Sequence, residues 1–254
     1  DVPVAKAPDC VGKKAEALSF TMAPGDILLL ENLRFHKEEQ ENSRSFAKQL
    51  ASLGDMYVND AFSVCHRVHA SVVGVPALLP SFAGLFLEHE LAGLERLLKN
   101  PKRPVVAIIG GKKIDSKLPA VDAISETADA VLLGNLLANA AKRKKIRFQN
   151  PSKILFPPDA LPGKGKEFDI GPKTKEVFLR KIKEAKTVFW AGPLGKYEET
   201  PYQEGSLAVA KAIVQSNAFS VAGGGNLIAF LGKYRLREKF SHCSTGGSAM
   251  LAIL

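Results

Sequence analysis

Cysteine, methionine and tryptophan are scarce in this chain: its 254 residues include three cysteines, three methionines and one tryptophan. The cysteines are Cys10, Cys65 and Cys243, an odd number of residues set far apart in the sequence. That number and spacing exclude a framework of disulfides. We therefore expect the protein to work in a reducing, intracellular compartment.

Long hydrophobic runs are also missing. Asp, Glu, Asn or Pro interrupts every candidate run before it reaches the roughly 20 residues of a membrane-spanning helix. The N-terminal residues, Asp1 to Pro8, show no signal-peptide pattern. These absences lead us to expect a cytoplasmic protein with no membrane partner.

Acidic residues are in the minority, with 26 Asp and Glu against 35 Lys and Arg, which gives a formal net charge of +9. Hydrophobic residues make up 46% of the chain and charged residues 24%, as is usual for globular proteins, so a disordered chain is excluded. The excess of positive charge favours polyanionic partners, either phosphorylated small molecules or nucleic acid.

The densest basic run comprises Lys142 to Lys145 and Arg147. Phe148 is the one aromatic residue beside it, whereas surfaces that bind single-stranded nucleic acid interleave aromatic and basic residues. Basic residues also suit the C-terminal end of a helix, where they complement the helix dipole. We interpret the run as a solvated helix end and expect no nucleic-acid partner.

From residue 101 onward, short β-branched runs alternate with amphipathic helical stretches. The strand candidates are nearly continuous apolar runs, as expected of parallel strands buried on both faces. This alternation predicts an α/β fold with a doubly wound parallel sheet and right-handed crossovers. The predicted strands are Val105–Ile109, Ala130–Leu133, Lys153–Phe156, Thr187–Trp190, Phe219–Ala222 and about 240–243, and the predicted helices are 117–127, 136–145, 173–185 and 203–216.

The first hundred residues show the same alternation less completely. Ile27–Leu30 and Met56–Val58 read as strands, with a helix at 43–53 between them, and an amphipathic stretch at 81–99 reads as a helix that links two domains. Two strands are too few to close a sheet, so the first domain is expected to be incomplete. The predicted division is therefore 1–80, an interdomain helix at 81–100, and 101–254.

Glycine-rich turns follow four of the predicted strands, at Gly110-Gly111, Gly192 to Gly195, Gly223 to Gly225 and Gly246-Gly247. Open α/β sheets bind ligands at the carboxyl ends of their strands, where glycine lets the backbone approach a phosphate and the next helix offers free N–H groups. Any one such turn is also explained by ordinary turn chemistry. The four together, with Lys113 and Lys117 four residues apart at a helix start, indicate a phosphate site. The spacings match neither a P-loop nor a dinucleotide fingerprint.

Cys65, His66 and His69 lie close together in the sequence, which raises the possibility of a metal site. Zinc sites require further ligands at a matching spacing elsewhere, and no partner pair of that kind occurs. We interpret these three residues as polar residues of a cleft.

Seven segments, in order along nearly the whole chain, resemble the phosphoglycerate kinase family. They are Leu28 to His36, Tyr57 to Phe62, His66 to Ser71, Gly110 to Lys113, Phe189 to Gly195, Gly223 to Gly225 and Ser244 to Gly247. The resemblance implies two Rossmann-like domains joined by a long helix, one holding 3-phosphoglycerate and the other ADP or ATP with Mg²⁺. It also implies a monomeric glycolytic phosphotransferase with a carboxyl acceptor, which moves a phosphoryl group between 1,3-bisphosphoglycerate and ADP.

The resemblance assigns roles to individual residues. Arg34, His66 and Arg67 match positions that bind 3-phosphoglycerate, Lys113 and Lys117 match lysines on the nucleotide phosphates, and Glu198 matches the acid that accepts the ribose hydroxyls. Arg34, Lys113 and Gly225 match the catalytic positions. The remaining matches to nucleotide-binding positions are Gly134, Gly192, Gly223, Gly224, Asn226, Thr245, Gly246 and Gly247.

Several residues depart from the family pattern. Asn226 stands where the family has the Asp that holds Mg²⁺, and a neutral amide is a much poorer magnesium ligand than a carboxylate. Ala191 replaces an Asn, Ser248 replaces a Gly, and the turn from Gly134 to Leu137 is expected to narrow the adenine pocket. Members also begin with a further segment that nothing in this sequence matches.

These departures keep two alternative functions open. One is a catalytically weak or silent relative that binds nucleotide or phosphate ligands, which Asn226 and Ala191 favour. The other is a basic module that binds a partner protein or nucleic acid, which only the net charge favours.

Overall fold

A computed structural model describes residues 2–112, 114–163 and 166–253. Its contacts divide the chain into a first unit, Asp1–Glu88, and a second unit, His89–Leu254. No helix in the described ranges is both long enough and apolar enough to span a bilayer.

The first unit contains four short strands in two parallel pairs: β1 pairs with β2 and β3 with β4. Cys10, Phe46, Ala70 and Val75 form the centre of its small core. Among the described residues the four strands do not join into one sheet, in agreement with the expected incomplete first sheet. The elements are β1 (Val4–Lys6), α1 (Lys13–Phe20), β2 (Ile27–Leu29), α2 (Lys37–Gln40), α3 (Arg44–Ala51), β3 (Tyr57–Asn59) and β4 (Ser81–Ala83).

The predicted helix at 81–99 is wrong at its start. Ser81–Ala83 pairs with Tyr57–Asn59 as a strand, and the helix α4 runs from Leu85 to Leu98. The backbone N–H of Gly84 continues the pairing by donating to the carbonyl of Asn59, at 2.8 Å. Asp60 then accepts the N–H of Leu87 at 2.9 Å, which satisfies a free donor at the start of α4. The strand pairing uses backbone groups that a longer helix would have needed.

The second unit is built on a six-stranded parallel sheet with the order β12-β11-β10-β5-β6-β7. Between β7 and α7 in the chain, β8 and β9 pair in the antiparallel direction and form a separate two-stranded sheet. The elements are β5 (Val105–Ile109), α5 (Ile114–Thr127), β6 (Ala130–Leu133), α6 (Asn135–Arg143), β7 (Ile154–Leu155), β8 (Ala160–Gly163), β9 (Lys166–Ile170), α7 (Pro172–Glu184), β10 (Thr187–Ala191), α8 (Glu204–Gln215), β11 (Phe219–Gly223), α9 (Gly225–Lys233), β12 (His242–Ser244) and α10 (Gly247–Ile253).

The doubly wound parallel sheet predicted for this region is confirmed. The residues of β5, β6 and β10 are all buried, because each strand is covered on both faces. The largest core cluster includes Trp190, Phe178 and Phe230. The hairpin β8–β9 was not predicted from the sequence, because its residues include Pro, Gly and charged side chains rather than a continuous apolar run.

Candidate active site

The last residues of five parallel strands pair with one another in a continuous row across the sheet. Backbone pairing places Ile109 beside both Leu133 and Ala191, and it places Gly223 beside both Ala191 and Ser244. We call these five residues the strand-end row. Every strand in the row continues into glycine or into Thr-Gly, so the glycine turns lie along the same edge of the sheet. The turns begin with Gly110, Gly134, Gly192, Gly224 and Thr245-Gly246.

The strand order reverses between β5 and β10. From β5 the chain proceeds outward through β6 and β7, and from β10 it proceeds in the other direction through β11 and β12. Helices therefore diverge on either side of this point and leave a crevice at the carboxyl ends, which is where open α/β sheets bind ligands. The turns at Gly110 and Gly192 lie at this reversal point, and their backbones pack closely against each other.

Glycine is required on both sides of this crevice. A side chain at Gly110 would overlap the carbonyl of Pro193, and a Cβ at Gly192 would lie 2.7 Å from the oxygen of Gly110. Gly192 also has φ 84°, a conformation that side chains other than glycine rarely adopt. Gly224 and Gly247 make a similar contact further along the edge, where a Cβ on Gly247 would lie 2.6 Å from Gly224 Cα.

Lys117 places its ammonium group in the crevice. Its Nζ donates a hydrogen bond to the carbonyl of Ala191 at 2.9 Å and another to the carbonyl of Gly110. Ala191 is the last residue of β10 and Gly110 directly follows β5, so the cation is held at the reversal point of the sheet. A half-buried ammonium group attracts anions, because electrostatic interactions are stronger away from bulk water. Lys113, the other lysine of the predicted pair, lies outside the described residues.

The helix α9 begins at the same edge. Gly224 is its N-cap with φ 102°, and Gly225 and Asn226 are the first two residues of the helix, both exposed. The N–H groups at a helix start and the positive end of its dipole favour an anion there.

A pocket with a volume of about 390 Å³ opens beside the crevice. Apolar side chains form much of its wall, and charged groups stand among them, which is the usual character of a small-molecule site. Its lining residues are Gly111, Lys112, Ile114, Leu136, Phe168, Pro193, Leu194, Gly195, Lys196, Tyr197, Glu198 and Asn226.

Glu198 is the one carboxylate among the pocket-lining residues that the structure describes. Its Oε1 lies 3.8 Å from Nζ of Lys112, and both side chains are largely exposed. An exposed ion pair of this length contributes only about 0–1 kcal/mol, so a ligand can replace Lys112 as the partner of Glu198 at little cost.

The pocket offers a poor donor set for a protein-held Mg²⁺ ion. Asn226 contributes one neutral amide oxygen, and the one carboxylate among the described lining residues, Glu198, is an exposed side chain. Magnesium sites in proteins usually rest on one or two carboxylates together with ligand phosphates. These residues therefore do not fit a tightly held magnesium ion.

The residues predicted for the triose belong to the first unit. Arg34 lies in a one-turn 3₁₀ helix, Leu33–Phe35, where its backbone N–H donates to the side chain of Asn32 at 3.0 Å. Arg67 follows a second such turn and donates its backbone N–H to Val64 at 2.9 Å. Both arginine side chains are exposed, whereas His66 is half-buried. Their guanidinium groups are thus accessible to an anionic ligand.

A different set of residues comes closest to a metal-binding arrangement. Of the side chains that the structure describes, only Asp9, Cys10 and His36 bring three ligand atoms within 4.8 Å of one another. Nε2 of His36 lies 2.7 Å from Oδ1 of Asp9, which also accepts the backbone N–H of Cys10. Burial and the nearby Asp9 charge raise the pKa of the Cys10 thiol to about 11. This group is a hydrogen-bonded junction with a protonated thiol.

Sequence reasoning missed several pocket residues, notably Lys112, Phe168 and Tyr197. Phe168 lies in β9, and no sequence signal identified that strand. Tyr197 lies between Gly195 and Glu198, so extending the Phe189 to Gly195 motif by a few residues would have included it.

Comparisons with known proteins agree over nearly the whole chain. The model of the phosphoglycerate kinase family matches residues 1–147 and 141–254. A phosphoglycerate kinase of Pelotomaculum thermopropionicum is 36% identical over 292 aligned residues, which cover 99% of this chain and 74% of the relative. One of Thermus thermophilus is 37% identical over 284 residues, covering 95% and 72% respectively.

Solved structures give the same result. A phosphoglycerate kinase from Pyrococcus horikoshii superposes with a TM-score of 0.83 at 30% identity, covering 99% of this chain and 75% of that structure. One from Coxiella burnetii gives a TM-score of 0.76 at 29% identity, covering 99% and 73%. This chain thus spans about three-quarters of the length of these relatives.

This chain also lacks residues within the matched region. The alignment with the Pelotomaculum relative has 292 positions against 254 residues in this chain, a difference of at least 38 residues. The two family matches overlap at residues 141–147, which comprise the end of α6 and the start of the segment that joins it to β7.

Proposed function

Because the chain belongs to the phosphoglycerate kinase family, we propose that it transfers a phosphoryl group between 1,3-bisphosphoglycerate and ADP, giving 3-phosphoglycerate and ATP. The observation that carries this proposal is the position of Lys117, whose ammonium group lies in the crevice where the sheet reverses and beside a pocket of nucleoside size. The reaction would place the protein in glycolysis, acting as a monomer.

The nucleotide is proposed to bind along the carboxyl edge of the second unit. Its base would occupy the apolar part of the pocket, between side chains such as Leu136 and Phe168. Glu198 would accept hydrogen bonds from the ribose hydroxyls in place of its ion pair with Lys112. This assignment accounts for a pocket whose described residues combine an apolar wall with a single carboxylate.

The nucleotide phosphates are proposed to lie over the glycine turns. The turns from Gly223 to Gly225 and from Thr245 to Gly247, with Gly134 and Gly192, would let them approach the backbone. The start of α9 contributes N–H groups and a positive dipole end on the same edge. Lys117, with Lys113, would neutralise phosphate charge.

Catalysis would consist of positioning and charge stabilisation. In phosphoryl transfer the attacking and leaving oxygens are roughly in line, and the protein needs to form no covalent bond. Lys113 and the backbone N–H of Gly225 would donate to the oxygens of the moving phosphoryl group, where preorganised donors have their largest effect. Arg34 is proposed as a further catalytic residue.

The triose is proposed to bind to the first unit. Arg34 and Arg67 present exposed guanidinium groups, which form paired hydrogen bonds with carboxylate and phosphate, and His66 is proposed as a third contact. In this proposal residues 1–80 form the triose domain, 81–100 the connection and 101–254 the nucleotide domain. Mg²⁺ would arrive on the phosphates of ADP or ATP, because Asn226 stands where the family has a carboxylate.

The test is a coupled assay of ATP formation from ADP and 1,3-bisphosphoglycerate, with Lys117→Ala compared with Lys211→Ala. Lys211 is an exposed lysine of α8, so its loss should leave the rate unchanged. We expect Lys117→Ala to lower the rate by about a hundredfold, because removing one preorganised donor typically costs that much. Equal rates for the two variants would contradict the role of Lys117.

The same assay, combined with a measurement of ADP binding, distinguishes the proposed reaction from the main alternative. Asn226 and Ala191 favour a silent relative that binds nucleotide without transferring phosphate. ADP binding by calorimetry, combined with no ATP formation by the unmodified chain, would establish that alternative and overturn the proposed reaction.

A further inference from the structure

Asp169 is a fully buried carboxylic acid in β9, with no exposed surface. It follows Phe168, whose side chain lines the pocket. Asp169 is not itself among the pocket-lining residues, yet isolated carboxylates are costly to bury, so its contacts need an explanation.

The Asp169 side chain fastens a strand to a helix. Its Oδ2 accepts the backbone N–H of Gly205 at 2.7 Å, and its Oδ1 accepts that of Ile170 at 2.8 Å. Gly205 is the second residue of α8, so the carboxylate satisfies a donor at the start of that helix from a different element. The negative charge also suits the positive end of the helix dipole.

Asp169 also abuts the pocket. A side chain on Gly195 would overlap Oδ1 of Asp169, and a Cβ on Gly205 would lie 2.5 Å from the same oxygen. Gly195 belongs to the segment Leu194–Glu198, of which every residue lines the pocket. We call this segment the pocket wall. The carboxylate thus lies between the pocket wall and α8.

Further hydrogen bonds hold the pocket wall to the two elements that Asp169 joins. The backbone N–H of Lys196 donates to the carbonyl of Phe168 in β9 at 2.7 Å. The backbone N–H of Leu194 donates to Oγ of Ser206 in α8 at 2.9 Å. The spacing between β9 and α8 therefore determines where the pocket wall lies.

We propose that Asp169 is a positioning residue for the nucleotide: by setting the distance between β9 and α8, it holds the pocket wall, and with it Glu198, in the place where the nucleoside binds. This inference rests on the proposed function, because it assigns that pocket to ADP. Asp169 acts through the wall and does not touch the ligand.

A matched control exists in the same unit. Asp159 accepts the backbone N–H groups of Lys173 at 2.9 Å and Thr174 at 2.7 Å, and so holds the start of α7 much as Asp169 holds α8. Asp159 is not among the pocket-lining residues. Loss of either carboxylate weakens a helix start, but only loss of Asp169 is expected to move the pocket wall.

The experiment measures ADP and 3-phosphoglycerate binding by calorimetry, together with kcat and KM, for Asp169→Asn and Asp159→Asn. An amide supplies one acceptor oxygen where the carboxylate supplies two, and its NH₂ group then faces a backbone N–H. We expect Asp169→Asn to weaken ADP binding about tenfold or more and to raise the KM for ADP more than it lowers kcat, since small displacements of positioning groups are costly. Binding of 3-phosphoglycerate should change less than about twofold, and Asp159→Asn should leave both affinities unchanged.

Unchanged ADP affinity in Asp169→Asn, or an equal loss in both variants, would overturn this role for Asp169. Failure of the unmodified chain to bind ADP would overturn the proposed function, and this role with it. If Asp169→Asn does not fold, Ser206→Ala tests the same idea, because it removes the hydrogen bond from the pocket wall to α8. That variant should weaken ADP binding while sparing 3-phosphoglycerate, and unchanged ADP binding would contradict the proposal.

Discussion

Removing either member of the buried pair between Glu90 and His242 should destabilise the protein, and the two losses should differ. Oε2 of Glu90, in α4, lies 3.0 Å from Nε2 of His242, in β12, and the side chains are 2% and 5% exposed. Oε1 of Glu90 also lies 3.3 Å from the backbone nitrogen of Thr245, which donates to it. The pair therefore joins α4 to the turn that follows β12.

The size of each loss follows from the group that is left behind. His242→Ala leaves a buried carboxylate without its imidazole partner, a change that typically costs about 3–5 kcal/mol. Glu90→Ala leaves a buried imidazole without its carboxylate partner, and the expected loss is about 1–3 kcal/mol, as for an unsatisfied buried polar group. Both variants delete side chains of similar size, so the difference between them reports mainly on the stranded charge.

The difference in stability loss between His242→Ala and Glu90→Ala should also depend on pH. Burial favours a higher pKa for Glu90, but hydrogen bonds from His242 and Ser244 outweigh it and lower the pKa below its usual value. A lowered pKa in the folded state means that the carboxylate stabilises the protein above its unfolded pKa, and that this contribution disappears as the pH falls through the folded-state pKa. In His242→Ala the Glu90 carboxyl group, left without its partner, can take up a proton in acid. The losses in the free energy of unfolding of the two variants should therefore become more alike at low pH.

Urea unfolding of the single and double variants, near pH 7 and near pH 4.5, measures these free energies by linear extrapolation. Glu90→Gln is the control, because its amide can still bond to His242 without a charge. We expect a coupling energy of at least about 1 kcal/mol between the two sites near pH 7. Equal losses for the two single variants, or losses that add to within about 0.5 kcal/mol, would refute this account of the pair.

Three other changes have definite expected outcomes. Asn226→Asp should tighten ADP binding only when Mg²⁺ is present and weaken it in a chelator, because the added carboxylate attracts the ion but repels bare phosphate; calorimetry that shows no magnesium-dependent gain would contradict this. Gly192→Ala should cost at least about 2 kcal/mol in urea unfolding, since φ is 84° and a Cβ would lie 2.7 Å from Gly110 O, whereas Gly232→Ala, in open space within α9, should be neutral or stabilising. Burial raises the pKa of Asp169 to about 6, so between about pH 4 and 6 the folded chain holds a proton that the unfolded chain has lost. This group should therefore lower the free energy of unfolding by about 3 kcal/mol as the pH rises from about 4 to 6. Asp169→Asn should remove that part of the pH profile of stability, and an unaltered profile would show that Asp169 is not the group responsible.

Much of the second unit could be predicted from the sequence because its strands are buried on both faces. Val105–Ile109 and Ala130–Leu133 are continuous apolar runs, and the structure confirms both with the predicted bounds. The predicted strands Thr187–Trp190 and Phe219–Ala222 each extend by one further residue. A strand that is covered on both sides must be apolar at every position, which leaves a clear signal in the sequence.

Elements without such a signal were missed or misplaced. The strands β1 and β4 have three exposed residues each, and β8 and β9 include Pro, Gly and charged residues rather than a continuous apolar run. Ser81–Ala83 also precedes an amphipathic helix with no break other than Gly84, so the sequence pattern of that helix continues through these residues. The hydrogen-bonding partner decided its conformation, and Tyr57–Asn59 is more than twenty residues away in the sequence.

The sequence by itself determined which residues form turns, which are buried and where glycines follow strands. These properties depend on local conformation and on side-chain polarity. It therefore identified Gly110, Gly192 and Lys117 as parts of one site. Only the tertiary structure decided that the ammonium of Lys117 bonds to the carbonyls of Gly110 and Ala191, which are far apart in the chain. It also decided that Asp169 lies between Gly195 and Gly205. Such relations arise from the order in which strands pair, and that order is set by the packing of the whole sheet rather than by any local segment.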